Sequence, residues 1–202
     1  MRLLLPCLLM GLLAACAKPP APTAADPQAA LVAELRQGGY VIYLRHAETA
    51  PTPEPAVRDF GDCSWQRNLN AQGRAQAVAL GAQLRALGIS AATVESSPFC
   101  RARETAELVF GGEPKVNPDL FYHVSQTPAE VAAADAKLQA RFARPPPAGG
   151  NVVLVGHAPT MRDISGVVLP EGQGAIVKPA GDGTFLIVGR LGAGGISAAG
   201  GS

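Results

Sequence analysis

The chain has 202 residues, 17 basic and 16 acidic side chains, a formal charge of +1, 48% hydrophobic residues and four cysteines. That is material for one ordinary domain and excludes two full-sized ones. A charge so near zero offers no basic face to duplex DNA or RNA, so no nucleic-acid partner is expected and anion chemistry must come from a few placed cations.

The N-terminus, MRLLLPCLLMGLLAAC, sets one positive charge before an apolar run too short to cross a bilayer comfortably. Residues 1–15 therefore read as a secretory signal, and the Pro-Pro-Ala-Pro after Lys18 argues against a helix of the fold. The end Leu13-Ala14-Ala15-Cys16 resembles the lipobox of bacterial lipoproteins, which implies cleavage that leaves Cys16 as an acylated first residue. Residues 16–28 are then a lipidated cysteine and an extended linker, 29–192 the domain, and 193–202 a flexible Gly-rich tail. The implied location is the bacterial cell envelope, with the protein held to a membrane through its N-terminal lipid. By the same resemblance, Ala17 in place of Asp points to the outer membrane, facing the periplasm. Plain secretion is the alternative.

Ala29 to Gln37 is predicted as a short helix. Tyr40-Val41-Ile42-Tyr43-Leu44, bounded by Gly-Gly, reads as a buried strand ending at Arg45-His46. The stretch from Ala47 to Leu69 has no periodicity and is longer than a connection needs, which marks a functional loop. Asn70 caps a helix through Leu87, with Ala75, Ala79, Leu80 and Leu84 as its buried stripe and Gly88 as its stop. Ala91 to Glu95 is a second strand. Ser96-Ser97-Pro98 opens a helix through Phe110, closed by Gly111-Gly112. A short strand at Lys115 to Asn117 and a helix from Pro128 to Ala143 follow. Asn151 to Val155 is a buried strand, Pro159 suits the first turn of the next helix, and Ala175 to Lys178 and Thr184 to Val188 are the last strands. There is no internal repeat and no later membrane-length run.

Strand and helix alternate, which predicts an α/β fold: a three-layer α/β/α sandwich with a mainly parallel central sheet. Ligands of such sheets gather at the carboxyl ends of the strands, where His46 and His157 fall. Three segments stand at strand exits: Leu44-Arg45-His46-Ala47-Glu48-Thr49, then Ser96-Ser97-Pro98-Phe99-Cys100-Arg101-Ala102-Arg103-Glu104-Thr105-Ala106, then Val155-Gly156-His157-Ala158-Pro159-Thr160. His46, His157, Arg45 and Arg101 converging on one crevice make a pocket for a dianion, because guanidinium forks match phosphoryl oxygens and helix N-termini add donors. Zinc is the rival use of histidines. Arg45 sets a fixed cation where a metal would sit, and no close His or carboxylate spacing supports a site, so no metal and no other cofactor is expected.

The three segments resemble those of the histidine phosphatase superfamily, branch 1, the phosphoglycerate-mutase-like group, over Tyr40 to Val188. Ala47 stands where the family mark is Arg-His-Gly, a variation of its small phosphohistidine-phosphatase members. The resemblance implies a phosphoglycerate-mutase-like fold and His46 as the nucleophile that forms a phosphohistidine, later hydrolysed by water. Arg45, Arg101 and His157 would hold the phosphoryl oxygens, with Thr49 as a further substrate contact.

The pattern departs from the family at the general acid. Tyr122 occupies the place of the family's glutamate, and Ala158 that of the Asp used by the other large branch. Glu48, Asp62, Asp119 and His123 are the candidates for the acid, and a good leaving group would need little protonation. The loop from Thr49 to Asn68 is expected to shape the pocket, with Asp59, Asp62, Trp65 and Arg67 as substrate contacts or ordinary loop residues. Cys63 and Cys100, the cysteines left beside signal and anchor, are expected to pair as a disulfide in an oxidising envelope.

The expected function is an envelope phosphatase acting on phosphomonoesters or phosphoramidates through His46, without a metal. Its partner would be a phosphorylated small molecule or a phosphoprotein. Two alternatives stay open: a non-catalytic lipoprotein binding a phosphorylated ligand in the same pocket, and an envelope protein phosphatase acting on phosphorylated side chains. The mutase role of the wider group is disfavoured by a targeting segment that points out of the cytoplasm.

Overall fold

The computed structural model describes residues 26–54, 59–123 and 126–199. The expected signal, Cys16 and the first part of the linker lie outside the described residues. The elements in chain order are α1 (Pro27–Gln37), β1 (Val41–Arg45), α2 (Ala71–Ala86), β2 (Ala91–Ser96), α3 (Cys100–Phe110), β3 (Lys115–Val116), α4 (Pro128–Ala143), β4 (Asn151–Gly156), α5 (Ala158–Ser165), β5 (Gly174–Pro179), β6 (Phe185–Gly192) and β7 (Gly195–Ala198).

Strand alternation divides the core in two. Ile42, Leu44, Val153, Val155 and Ile176 pack with Leu35 of α1, Leu80 and Leu84 of α2 and Ala106 and Val109 of α3. Val41, Tyr43, Val152, Leu154 and Val177 face the other way, onto Leu138 and Phe142 of α4 and Met161 of α5. These are the expected three layers. The sheet runs β3-β2-β4-β1-β5-β6-β7. Its first four strands are parallel, while β5, β6 and β7 join antiparallel, so the whole sheet is mixed.

Helix α2 buries Gly73, Ala77, Leu80, Gly81 and Leu84, whereas the predicted stripe members Ala75 and Ala79 are exposed. Glycine decides the rotation. A Cβ on Gly73 or Gly81 would collide with the backbone of Glu48 or of Val109, so the glycine face is the one that approaches the neighbouring chain. Asn70 caps this helix as expected, its Oδ1 accepting the Gly73 N–H at 2.7 Å.

Both ends of the predicted domain need correction. Helix α1 begins at Pro27, inside the expected linker, because Asp26 caps it and Pro27 suits its first turn. The expected flexible tail enters the sheet: Gly195–Ala198 pairs with β6, and Gly192 faces Gly195 across a tight turn. Gly195 has φ +103°, which glycine tolerates, and Ile196 gives the strand an apolar side chain to bury. The glycines there build a turn.

Candidate active site

Parallel register brings the motifs together. Arg45 of β1 is opposite Gly156 of β4, and Ser96 of β2 is opposite Val155. The ladder runs on past the strands: His46 N–H donates to Gly156 O at 3.0 Å, and Ser97 N–H to Val155 O at 2.9 Å. His46, Ser97 and His157 thus leave neighbouring strands at one sheet edge, with the two imidazole centroids 5.3 Å apart.

His46 is 2% exposed, and its Nδ1 lies 2.9 Å from Ala47 O. A carbonyl only accepts, so the ring proton sits on Nδ1 and the Nε2 lone pair is left for attack. Burial, and then the charge of Arg101, holds the imidazole well below its ordinary value. The backbone beside it is tied to α3: Ala47 N–H donates to Thr105 Oγ1 at 2.9 Å, and the Thr105 hydroxyl donates to Arg101 O at 2.7 Å. The Thr105 of the second motif therefore couples His46 to the helix that carries Arg101.

His157 caps α5 and is fixed at both ends. Its N–H donates to Tyr43 Oη at 2.9 Å, and the Tyr43 hydroxyl donates to His157 O at 2.8 Å. A Cβ at Gly156 would overlap that hydroxyl, so the glycine before His157 makes room for its clamp. The ring Nε2 is 2.8 Å from Ser97 Oγ, and Phe99 and Tyr122 pack around it at 5.1 and 5.0 Å between centroids. Burial lowers its proton affinity too, followed by the neighbouring His46 ring and the charge of Arg101. Its Nδ1 is buried without a partner.

Arg101 has no exposed side-chain surface. One nitrogen, Nη1, donates to Glu54 Oε1 at 3.0 Å and to Arg67 O at 3.4 Å. The guanidinium lies 4.4 Å from the Phe99 ring centroid and 5.3 Å from that of Tyr122. Arg45 uses Nη1 on Leu169 O at 2.9 Å and Nη2 on Glu171 Oε1 at 3.3 Å. Arg45 Nε, Arg101 Nε and Arg101 Nη2 are buried with no hydrogen-bond partner, as is His157 Nδ1. Buried nitrogens at a cationic centre cost stability unless something pays them back, and an oxyanion with several lone pairs is what matches them.

The other predicted residues fall elsewhere. Glu48 accepts from Asn70 Nδ2 at 2.7 Å and so supports the cap of α2. Asp62 accepts the Ser64 N–H at 2.9 Å and caps the turn Cys63–Trp65. Asp119 pairs with Lys137 of α4 at 2.9 Å. His123 is held between Asp135 and Asp163 at 3.4 and 3.2 Å. Each is engaged by local capping or ion pairing, and of the four His123 lies near enough to His157 to act on its ring electrostatically. Thr49 turns to Glu171, with its N–H and hydroxyl donating at 3.2 and 3.0 Å, and so orients the carboxylate that holds Arg45. Asp59 accepts the Gly61 N–H at 2.7 Å, and Trp65 is 43% exposed. Arg67 does reach the site, through its carbonyl on Arg101 and its Nε 3.6 Å from Glu54. Cys63 and Cys100 form the expected disulfide and tie the loop to the first residue of α3.

The fold also brings one ligand atom each from His123, Asp135 and Asp163 within 4.8 Å, a grouping that no sequence spacing announced. The ion pairs of His123 account for it. Sequence reasoning also missed Glu54 and Glu171. Glu171 lies just ahead of β5, the strand beside β1, so only the strand order reveals it; Glu54 was concealed in the aperiodic loop.

Residues 41–121 match the family model described as histidine phosphatase superfamily (branch 1). That span holds Arg45, His46 and Arg101, while His157 joins them through the geometry. No curated protein matches the chain by sequence. Among solved structures, the protein histidine phosphatase SixA complexed with tungstate is 22% identical, covers 76% of this chain and 97% of its own, and superposes with a TM-score of 0.55. Rv3214 of Mycobacterium tuberculosis is 18% identical, over 74% of this chain and 95% of its own, with a TM-score of 0.55. The native mycobacterial glucosyl-3-phosphoglycerate phosphatase Rv2419c is 18% identical, over 69% and 89%, with a TM-score of 0.50. At these identities the likeness carries the fold.

Proposed function

With the histidine phosphatase superfamily, branch 1, as the premise, we propose that this protein is a metal-independent phosphatase acting on phosphomonoesters or phosphoramidates through a phosphohistidine on His46. The observation that carries the reading is the set of buried, partnerless nitrogens of Arg45, Arg101 and His157 beside an unprotonated His46. In the first step Nε2 of His46 bonds to phosphorus while the bond to the leaving oxygen or nitrogen breaks. Arginine N–H groups take the phosphoryl oxygens and stabilise the charge that accumulates on them, so side chains supply the positive field. Water then attacks phosphorus, the P–N bond breaks, and inorganic phosphate leaves.

The relative solved with tungstate binds an oxyanion of phosphate-like shape, in keeping with an anion site of this kind. The protein would work in the cell envelope, tethered by lipid on Cys16. Mass spectrometry finding an unlipidated mature N-terminus would reject the tether. Turnover of p-nitrophenyl phosphate by the purified protein tests the chemistry, with His46→Ala falling at least about a thousandfold. A phosphorylated histidine trapped by an acid-free quench is expected in the wild type. Undiminished activity of His46→Ala would refute the nucleophile. The engagement of all four predicted acids in caps and ion pairs favours one second reading, a protein that binds a phosphorylated ligand without turning it over. Phosphate-competitive binding with no turnover of any ester would select it.

A further inference from the structure

Two acidic side chains touch the anion-binding arginines, Glu171 on Arg45 and Glu54 on the wholly buried Arg101, and Glu171 is already fastened by Thr49. Glu54, in the loop after β1, places Oε1 3.0 Å from Arg101 Nη1, and its Oε2 is buried with no hydrogen-bond donor, 3.6 Å from Arg67 Nε. Arg101 is wholly buried and His46 nearly so, whereas the Glu54 side chain is 18% exposed. Glu54 is therefore the solvent-facing member of the group around Arg101. Tyr122 lies under Arg101 and beside the His157 ring and brings no carboxyl to the site.

We infer that Glu54 is the general acid, delivering a proton to the leaving oxygen and later recovering one from water; the assignment rests on the phosphatase reading above. The Glu54 charge is balanced by Arg101 and Arg67. A phosphoryl dianion competes for Arg101 and brings like charge beside the carboxylate. The carboxyl is 18% exposed, so a proton can reach it from solvent.

The cycle then balances. The N–P bond to His46 forms, and the ester P–O bond breaks with its electron pair going to the leaving oxygen. That oxygen takes the Glu54 proton and departs as an alcohol. The Glu54 carboxylate next accepts a proton from the water whose oxygen bonds to phosphorus. The N–P bond breaks, and phosphate and neutral His46 are regenerated.

The test compares the wild type, Glu54→Gln and Glu54→Asp on p-nitrophenyl phosphate, phenyl phosphate and an alkyl phosphate. The Gln variant is expected to lose kcat in increasing proportion to the basicity of the leaving group, severalfold on p-nitrophenyl phosphate and about a hundredfold on the alkyl ester. Glu54→Asp, which keeps an acid, should recover part of the alkyl activity. Inorganic phosphate should inhibit Glu54→Gln more tightly, because no carboxylate competes for Arg101. Equal losses on all three esters would make Glu54 only a counter-ion and overturn its role as acid while leaving the phosphatase reading standing. A wild type inactive on all three would overturn both.

Discussion

His46 and His157 are buried in a form that cannot easily accept a proton, so mild acid should destabilise this protein before its carboxylates begin to titrate. In the unfolded chain each histidine takes up a proton near pH 6.5, whereas in the fold burial and neighbouring cations hold both well below that. Because the folded values are depressed, the stability is fully present above about pH 6.5 and is lost as pH falls towards the folded values. Below that onset the unfolded state binds two more protons through this pair, a slope of about 2.7 kcal/mol per pH unit, at about 1.36 for each histidine. One to two pH units could then consume much of the roughly 5–15 kcal/mol that holds a domain together. Urea denaturation of the wild type and of His46→Asn from about pH 7.5 down to about pH 5 measures this directly, since His46→Asn removes one of the two protons and should halve the slope. The carboxylates are common to both proteins, so the difference isolates the histidine. Equal slopes would refute the reasoning, because a His46 able to protonate in place would not be the neutral nucleophile that the Ala47 hydrogen bond implies.

Two further outcomes follow from the supports of the site. Reduction of Cys63–Cys100, a pair 37 residues apart, removes about 4 kcal/mol on the chain-entropy relation. At about 2–4 °C per kcal/mol that lowers the thermal midpoint by roughly 8–16 °C, and a midpoint unmoved by reductant would contradict it. Tyr43→Phe strips both backbone groups of His157 of their buried partner, at about 1–3 kcal/mol each. A urea midpoint within error of the wild type would show the clamp to be dispensable.

The strands and helices could be read from the sequence because their signals are local. Val-Ile-Tyr-Leu and Val-Val-Leu-Val are runs that only a doubly covered strand can bury, and Asn70 caps α2 through its own side chain. The convergence of Arg45, His46, Arg101 and His157 could be read for a related reason: each ends or closely follows a parallel strand, and parallel neighbours end at the same edge. What escaped were several facts set by distant partners. The burying face of α2 was chosen by the approach of Glu48 and Val109 to two glycines. The C-terminal glycines looked like a tail because a hairpin turn and a free chain share a composition. Glu54 and Glu171 resemble any loop acids until the fold sets them against Arg101 and Arg45.

The charge of the site links these observations. The +1 of the whole chain excluded a carpet of positive potential, and the site is no exception: Arg45, Arg67 and Arg101 face Glu54 and Glu171, which leaves one net positive charge with both histidines neutral. This balance is what lets Arg101 be wholly buried, since a lone guanidinium there would lose its hydration with nothing in return. The two carboxylates are held differently. Glu171 is fastened by Thr49 through two hydrogen bonds and keeps Arg45 aimed, whereas Glu54 Oε2 accepts none. A phosphoryl dianion entering this set turns one net positive charge into one net negative charge. Of the two carboxylates, Glu54 is the one less tied to the protein, and it meets that arriving charge beside Arg101.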